Sequence, residues 1–328
     1  MGSEEPIQTL APEKRRFDCP LKNHQKHAVS TFLDARFWQI ANMIQPGTHL
    51  GPYVIDRPLG AGNTGTVYRA FDSANNEPVA IKVLRAKRAS DDAAVAMFLE
   101  EAKVGLTVKH EHIVQTLYVD RFGDLPYIVF ELVSGTPLGK LLEKGALVEG
   151  EALWILRQMA QALRELRRKN IVHQDIKPEN ILIDKEGLCK LTDLGFARTP
   201  TGKIDWDGYS VGTAYYMSPE QYRGQKEHPP DHRSDLYCLG ATIFHAATGR
   251  HVFEGQEEDE IFDQLIHDKA PFAAEVNKKL SVPFSQVLSK CLEKDPGNRY
   301  QTAEELLLGI RNLKTRPVAP HVTPSRLD

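Results

Sequence analysis

The stretch from Ile171 to Gly195 constrains this chain more than any other part of its sequence. Within it, two short apolar runs, Ile181 to Ile183 and Leu188 to Leu191, flank the segment Asp184-Lys185-Glu186-Gly187. Apolar runs on either side of a short polar segment that ends in glycine are typical of a β-hairpin. Because a hairpin returns the chain to its starting edge, the residues just before it and just after it are expected to lie together.

Four polar residues occupy those positions. Asp175 and Lys177 precede the hairpin, Asn180 stands at its start and Asp193 at its exit. The oxygens of an amide and a carboxylate suit Mg²⁺, a second carboxylate can orient a hydroxyl, and a lysine can neutralise phosphate charge. The sequence therefore predicts a site for phosphate and metal at the open end of the hairpin.

The spacing His-x-Asp-x-Lys-x-x-x-Asn, followed by Asp-x-Gly, resembles the catalytic loop and metal-binding motif of protein kinases. A lone Asp-x-Gly would be an ordinary turn, and the longer string makes the resemblance specific. It covers residues 53–313, and the run over 212–221 is most similar to Hanks-type kinases of bacteria. The resemblance implies a two-lobed α+β fold. A small antiparallel β-sheet lobe with one main helix would precede a larger, mostly helical lobe.

A glycine-rich segment, Gly60 to Gly65, follows an expected strand that begins near Val54. Glycines let the backbone approach a phosphate and offer N–H groups to it. A dinucleotide-binding turn shares the Gly-x-Gly-x-x-Gly spacing, but it would open a helix. Here the strand-like run 67–70 follows instead, and the next strand carries Lys82 at the spacing found in kinases. We therefore expect Lys82 to bind phosphate.

The segment from Asp91 to Val108 is predicted to be a helix, since acidic residues begin it and strong helix formers follow. In kinases this helix supplies a carboxylate that pairs with the strand lysine. Glu100 and Glu101 both qualify by residue type. The family pattern selects Glu101 and makes Glu100 a solvated neighbour.

The resemblance implies ATP and Mg²⁺ as cofactors and assigns residues to them. The backbone of Glu131 and Val133 would hydrogen-bond adenine at a hinge between the lobes, between apolar side chains that suit a purine. The implied nucleotide-binding residues are Leu59, Gly60, Ala61, Gly62, Asn63, Thr64, Gly65, Val67, Ala80, Lys82, Phe130, Glu131, Val133 and Leu182. The implied catalytic residues are Asp175, Lys177, Lys82, Glu101 and Thr213, with Asn180 and Asp193 as metal ligands.

Three further residues are given structural roles by the same resemblance. Glu220 is expected to form a buried ion pair with Arg299. Asp235 resembles the helical acid that caps the backbone of the catalytic loop. Residues Thr199, Thr201, Tyr209 and Ser210 lie in the segment similar to an activation loop, where each is either an ordinary loop residue or a phosphorylation site.

Composition limits the other functions open to the chain. The formal net charge of −3 over 328 residues gives no reason to expect nucleic-acid binding. The four cysteines match no zinc spacing and are expected to be reduced thiols. No apolar run approaches the roughly 18 residues of a membrane span. We therefore expect a cytoplasmic protein with no membrane span in this chain.

The predicted domain organisation has five parts. They are a disordered lead-in over 1–27, an amphipathic helical extension over 28–48, an N-lobe over 49–134, a C-lobe over 135–314 and a flexible tail over 315–328. The apolar stripe of the helix over 28–44 is open to three interpretations: packing on its own domain, docking to a partner or to itself, and contact with a membrane surface.

The expected activity is transfer of the γ-phosphate of ATP to Ser or Thr hydroxyls of proteins, including the chain itself. The choice of Ser/Thr over Tyr rests on Lys177, two residues after the predicted base, Asp175. A pseudokinase scaffold would lack Lys82, Asp175 or Asp193, and none is missing. A kinase of small molecules is the other alternative. The activation-like segment with Thr213, which docks peptides in the family, argues against it.

One substitution in the pattern generates a prediction. Gln174 stands where many kinases have an arginine that gathers a phosphate on the activation segment, and a neutral amide binds phosphate far less strongly. Treatment with a phosphatase should therefore leave most of the turnover intact. The hypothesis fails if the dephosphorylated protein loses most of its turnover and rephosphorylation of the loop restores it.

Overall fold

The computed structural model describes residues 44–62, 64–194, 214–224 and 229–322. Some predictions concern other residues and stay predictions. They are the lead-in over 1–27, the helix over 28–44 up to residue 43, Asn63, the loop residues Thr199, Thr201, Tyr209 and Ser210, Thr213, and the tail from 323.

The fold is two-lobed α+β, as predicted, and its smaller lobe is built on a six-stranded antiparallel sheet. The strands are β1 (His49–Leu50), β2 (Tyr53–Ala61), β3 (Gly65–Asp72), β4 (Pro78–Leu84), β5 (Thr116–Phe122) and β6 (Leu125–Glu131). They are ordered β1-β2-β3-β4-β6-β5, so that β4 lies inside the sheet between β3 and β6. Strand alternation puts Val79, Ile81 and Val83 of β4 on one face and Lys82 on the other.

Helix α1 (Asp92–Thr107) packs on this sheet. The carboxylate of Asp91 caps its start by accepting hydrogen bonds from the backbone N–H groups of residues 93 and 94. Phe98 and Ala102 form a small apolar core with Ile128 of β6. A side chain at Gly105 would collide with β5, so glycine allows the helix to lie close to the sheet. The buried face that results also carries Glu101.

The larger lobe begins with a three-stranded sheet and continues mainly as helices. Its strands are β7 (Gly135–Pro137), β8 (Ile181–Asp184) and β9 (Cys189–Leu191). Its helices are α2 (Leu138–Leu142), α3 (Glu149–Arg168), α4 (Pro219–Arg223), α5 (His232–Thr248), α6 (Glu258–His267), α7 (Ala273–Val276), α8 (Val282–Cys291) and α9 (Ala303–Arg311). The apolar faces of α3 and α5 contribute much of the core.

The predicted hairpin is confirmed as β8 and β9, which pair antiparallel with Ile181 opposite Leu191. Trp154 Nε1 and Gln158 Nε2 of α3 donate to the carbonyl oxygen of Gly187 at 2.7 and 3.1 Å, which ties the turn to that helix. The residues before β8 and after β9 therefore meet on the side of the hairpin away from this turn.

Strand β5 begins only at residue 116, and Ile113 just before it forms a single bridge to Leu191 of the large lobe. The last helix, α9, ends at Arg311. Within the predicted flexible tail, Val322 is only 8% exposed and belongs to the main apolar core. The described part of the predicted tail, residues 315–322, therefore contacts the large lobe, and its flexibility stays a prediction.

The expected ion pair between Glu220 and Arg299 is confirmed and lies buried. The two guanidinium NH₂ groups donate to the two carboxylate oxygens at 2.6 and 2.8 Å, and the Arg299 side chain is fully buried. Its remaining N–H groups reach the backbone carbonyls of residues 233, 293 and 294. Burial acts to raise the pKa of Glu220, but the bonds from Arg299 outweigh it and the pKa is lowered. The pair joins α4 to the segment before α9.

Replacement of Arg299 by methionine should lower the free energy of unfolding by about 3–5 kcal/mol, because it leaves the Glu220 carboxylate buried without its cation. Urea denaturation of the purified variant measures this. Arg250→Ala is the matched control, since the pair between Arg250 and Glu254 is exposed and its loss should change little. Equal destabilisation by the two variants would contradict the assigned role.

Candidate active site

Lys82 is the centre of the polar groups between the lobes. Its ammonium group donates to both carboxylate oxygens of Glu101, at 2.8 and 2.9 Å, and to Asp193 Oδ1 at 3.0 Å. The pairing of Lys82 with Glu101 is therefore confirmed, whereas Glu100 is exposed beside Lys103. Strand β4 supplies Lys82, helix α1 supplies Glu101, and the chain just after β9 supplies Asp193. Three separate parts of the fold therefore meet in this cluster.

Burial and charge act in opposite directions on this cluster. Burial acts to lower the pKa of Lys82, but the carboxylates of Asp193 and Glu101 more than offset it, so the pKa is raised and the lysine stays charged. Burial raises the pKa of Glu101 to about 7, while the Lys82 ammonium acts against that rise. Glu101 therefore takes up a proton more readily than an exposed carboxylate does.

Asp175 presents two differently engaged carboxylate oxygens. Lys177 Nζ lies 2.9 Å from Oδ2, and Asn180 Nδ2 donates to the same oxygen at 2.9 Å. Oδ1 is buried and has no hydrogen-bond partner in the part of the chain that the structure describes. A buried carboxylate oxygen without a donor is costly unless a ligand supplies one. The arrangement is suited to accept a proton from a bound hydroxyl.

The backbone around Asp175 is held by two buried side chains. Both oxygens of Asp235, on α5, accept at 2.8 Å, from the N–H groups of His173 and Gln174, which confirms the predicted cap. Asp175 N donates to His173 Nδ1 at 3.3 Å, so Nε2 carries the ring hydrogen and donates it to the Thr192 carbonyl at 3.0 Å. Burial lowers the pKa of His173, consistent with this neutral form. The imidazole thus connects the loop before β8 to the residues after β9.

Asn180 and Asp193 offer the two oxygens expected for a metal. Both N–H groups of the Asn180 amide are directed at Asp175, one to its backbone carbonyl at 2.8 Å, so the amide oxygen is the remaining ligand atom. Asp193 adopts a left-handed backbone with φ of 60°, a conformation uncommon outside glycine. Nowhere in the described ranges do three His, Cys, Asp or Glu side chains form a metal cage. One carboxylate and one amide fit Mg²⁺, which takes its other ligands from phosphate and water.

A cavity of about 370 Å³ adjoins these groups. Its walls include the apolar side chains of Leu59, Val67, Ala80, Phe130 and Leu182, and it reaches Lys82, Asn180 and Asp193. Such a cavity, apolar on its walls and polar at one end, suits a ligand with a flat apolar part and a charged part. Gly60, Glu131 and Val133 also line it.

The hinge backbone limits how a base could bind. Glu131 N donates to the carbonyl of Gln115 at 3.0 Å, and the Val133 carbonyl accepts from Gly135 N at 2.9 Å. The Glu131 N–H is thus already engaged, which directs a base to the Glu131 carbonyl and the Val133 N–H. The Glu131 side chain accepts from Lys190 of β9 at 2.7 Å, which fixes the hinge to the large lobe.

The glycine-rich segment forms the turn between β2 and β3. Gly62 N donates to the Gly65 carbonyl at 2.8 Å, which closes the turn. A Cβ at Gly65 would lie 2.5 Å from the Val83 carbonyl oxygen, so no side chain fits there. Among the residues predicted for this segment, Gly60 lines the cavity, and Ala61, Gly62, Thr64 and Gly65 form the rest of the described turn. Asn63 and Thr213 lie outside the described residues.

The cavity is also lined by residues that the sequence analysis did not assign to it, and two of them are threonines. Thr192 precedes Asp193, and Thr116 lies at the start of β5 with its side chain almost fully buried. Adjacency to Asp193 was a signal for Thr192. No local signal marked Thr116, because its position depends on how β5 packs against α1.

Comparison with known proteins agrees with this geometry. A family model described as the protein kinase domain matches residues 53–308. A probable serine/threonine-protein kinase of Clostridium acetobutylicum is 34% identical over 274 residues, covering 81% of this chain and 40% of that protein. The serine/threonine-protein kinase PrkC of Bacillus subtilis is 35% identical over 263 residues, covering 80% of this chain and 40% of its own length.

A third relative, the serine/threonine-protein kinase PknL of Mycobacterium bovis, is 32% identical over 253 residues, covering 76% of this chain and 63% of that protein. This chain thus spans about two fifths of the first two relatives. In the part of the chain with described coordinates, no helix combines the length and the apolar content needed to cross a bilayer.

Proposed function

We propose that this chain, which belongs to the protein kinase family and most resembles its bacterial Hanks-type members, transfers the γ-phosphate of ATP to Ser or Thr hydroxyls of proteins. The observation that carries the proposal is the state of Asp175. One of its oxygens is held by Lys177 and Asn180, and the other is buried with no donor among the residues that the structure describes. A substrate hydroxyl would supply that donor.

Each residue then has one role. Asp175 orients the attacking hydroxyl and accepts its proton as the hydroxyl oxygen bonds to the γ-phosphorus and the bond from that phosphorus to the β-phosphate oxygen breaks, which releases ADP. Lys177 offsets negative charge on the phosphoryl group, and Lys82, positioned by Glu101, holds the phosphates that remain with the nucleotide. The cavity walls, with the turn between β2 and β3, bind and orient the nucleotide.

Mg²⁺ would be held by Asn180 and Asp193, and when bound it would offset the negative charge of the phosphate groups. The choice of Ser or Thr rests on Lys177, and the proposed role of Thr213 beside Asp175 rests on the family resemblance. Docking of the predicted helix over 28–44 to a partner, or to a second copy of this chain, is a separate proposal. It does not depend on the roles given to the site residues.

A scaffold that binds nucleotide without transfer is the alternative from another functional class. It is disfavoured because Lys82, Glu101 and Asp193 are in contact and because no donor in the described ranges reaches the buried Oδ1 of Asp175. A kinase of small molecules would share these contacts, and only the acceptor distinguishes it.

Replacement of Asp175 by asparagine should reduce phosphate transfer from labelled ATP by about 10²- to 10⁴-fold, because the amide cannot accept the proton. Transfer is measured with Mg²⁺ onto the protein itself and onto a generic Ser/Thr protein. Asp124→Asn, in the exposed turn between β5 and β6, is the control and should be as active as the wild type.

Nucleotide binding by Asp175→Asn should be retained, which separates lost chemistry from lost folding. Wild-type protein that binds ATP and transfers no phosphate to either acceptor would favour the scaffold. Transfer to small hydroxyl compounds, but to neither protein acceptor, would favour the kinase of small molecules.

A further inference from the structure

The chain after α9 does not leave the large lobe. Residues 315–322, which we name the C-terminal strap, cross the start of α3 and reach the hairpin turn of β8 and β9. Thr315 Oγ1 donates to the Glu149 carboxylate, and Val318 N donates to the Gly150 carbonyl at 2.9 Å. Pro320 is buried and Val322 joins the apolar core, so both ends of the strap are anchored.

Two glycines show how closely the strap fits. A Cβ at Gly150 would lie 2.9 Å from the carbonyl oxygen of Arg316, and a Cβ at Gly187 would lie 2.6 Å from Ala319 Cβ. Both distances are shorter than the normal van der Waals separation of a carbon atom from a non-bonded oxygen or carbon atom. Gly150 is an ordinary helical residue, so its lack of a side chain is explained by the strap and not by its own backbone. Gly187 has φ of 82°, which the turn itself requires.

The turn at Gly187 is therefore held by two parts of the chain. The α3 residues Trp154 and Gln158 donate to its carbonyl oxygen, and Gln158 Oε1 accepts from Cys189 N at 2.9 Å. The strap residue Ala319 packs against Gly187 itself, near Trp154 Nε1. The two strands that leave this turn are short and lead directly to Asn180 and to the segment ending at Asp193.

We propose that the C-terminal strap is a positioning element for the metal ligands Asn180 and Asp193. The strap acts through the hairpin, because it holds the turn against α3. This contact fixes the tilt of β8 and β9, and the tilt in turn sets the separation of Asn180 and Asp193. The inference rests on the proposed function of the site, because the effect it describes is on the use of Mg²⁺.

Two full-length variants are designed to displace the strap at two different points of contact. Gly150→Ala puts a methyl group against the strap backbone at a helical position where alanine is otherwise favoured. Ala319→Leu enlarges the strap side chain against Gly187. His321→Ala is the matched control, since it alters an exposed side chain within the strap.

Both strap variants should raise the Mg²⁺ concentration needed for half-maximal ATP binding by about three- to tenfold, less than the 10–100-fold typical when a group bonded to a metal ligand is lost. Affinity for adenosine, which has no phosphate, should stay unchanged, as should every value for His321→Ala. Backbone hydrogen exchange in the hairpin, residues 181–191, should be faster in both variants than in the control.

The proposal is overturned if both variants keep the wild-type Mg²⁺ dependence, even if their melting temperatures fall, because the strap would then only stabilise the lobe. Equal loss of adenosine and ATP affinity would overturn it as well, since the whole site would be disturbed. Failure of the proposed function is separately visible. The wild type and the control would then transfer no phosphate, while the Mg²⁺ dependence of binding would still distinguish the variants.

Discussion

The contact of the Lys82 ammonium with Glu101 and Asp193 is the interaction on which the rest of the site depends. A buried ammonium is expensive unless carboxylates surround it closely, and two buried carboxylates repel each other unless a cation lies between them. Lys82 and Glu101 come from the small lobe and Asp193 from the large one. The charge balance of this cluster therefore requires the lobes to be in register, with the cavity between them.

In the large lobe, buried polar side chains, and not an extended sheet, hold the segments that carry the site residues. Asp235 holds the backbone at His173 and Gln174, and His173 connects that backbone to Thr192. Lys190 joins β9 to Glu131 of the hinge. Each of these bonds is buried or partly buried, so its loss leaves an unsatisfied group. The loop that carries Asp175 is consequently set by long-range contacts and needs little regular structure of its own.

Much of this arrangement could be predicted because its signals are local. The spacing of Asp175, Asn180 and Asp193 about a hairpin predicts their proximity, and a kinase pattern separates Glu101 from Glu100. The strap could not be predicted, because a polar segment containing prolines is typical of a loose tail. Its position also depends on the absence of side chains at Gly150 and Gly187, far away in sequence, which leaves room for it. The late start of β5 has a similar cause, since Ile113 is engaged with the other lobe.

The most direct measurement is the affinity for ATP with saturating Mg²⁺, in the wild type and in Glu101→Gln, at about pH 6 and about pH 8. Burial raises the pKa of Glu101, so a larger share of its carboxylate is charged at the higher pH and a larger share is protonated at the lower one. At the higher pH the wild type should bind on the order of tenfold more tightly than the variant, because only a charged Glu101 holds Lys82 toward the phosphates. At the lower pH the two should converge, and any protonation of ATP itself affects both equally. A wild-type to variant ratio that is the same at both values, or close to one at both, would contradict the central role of this contact.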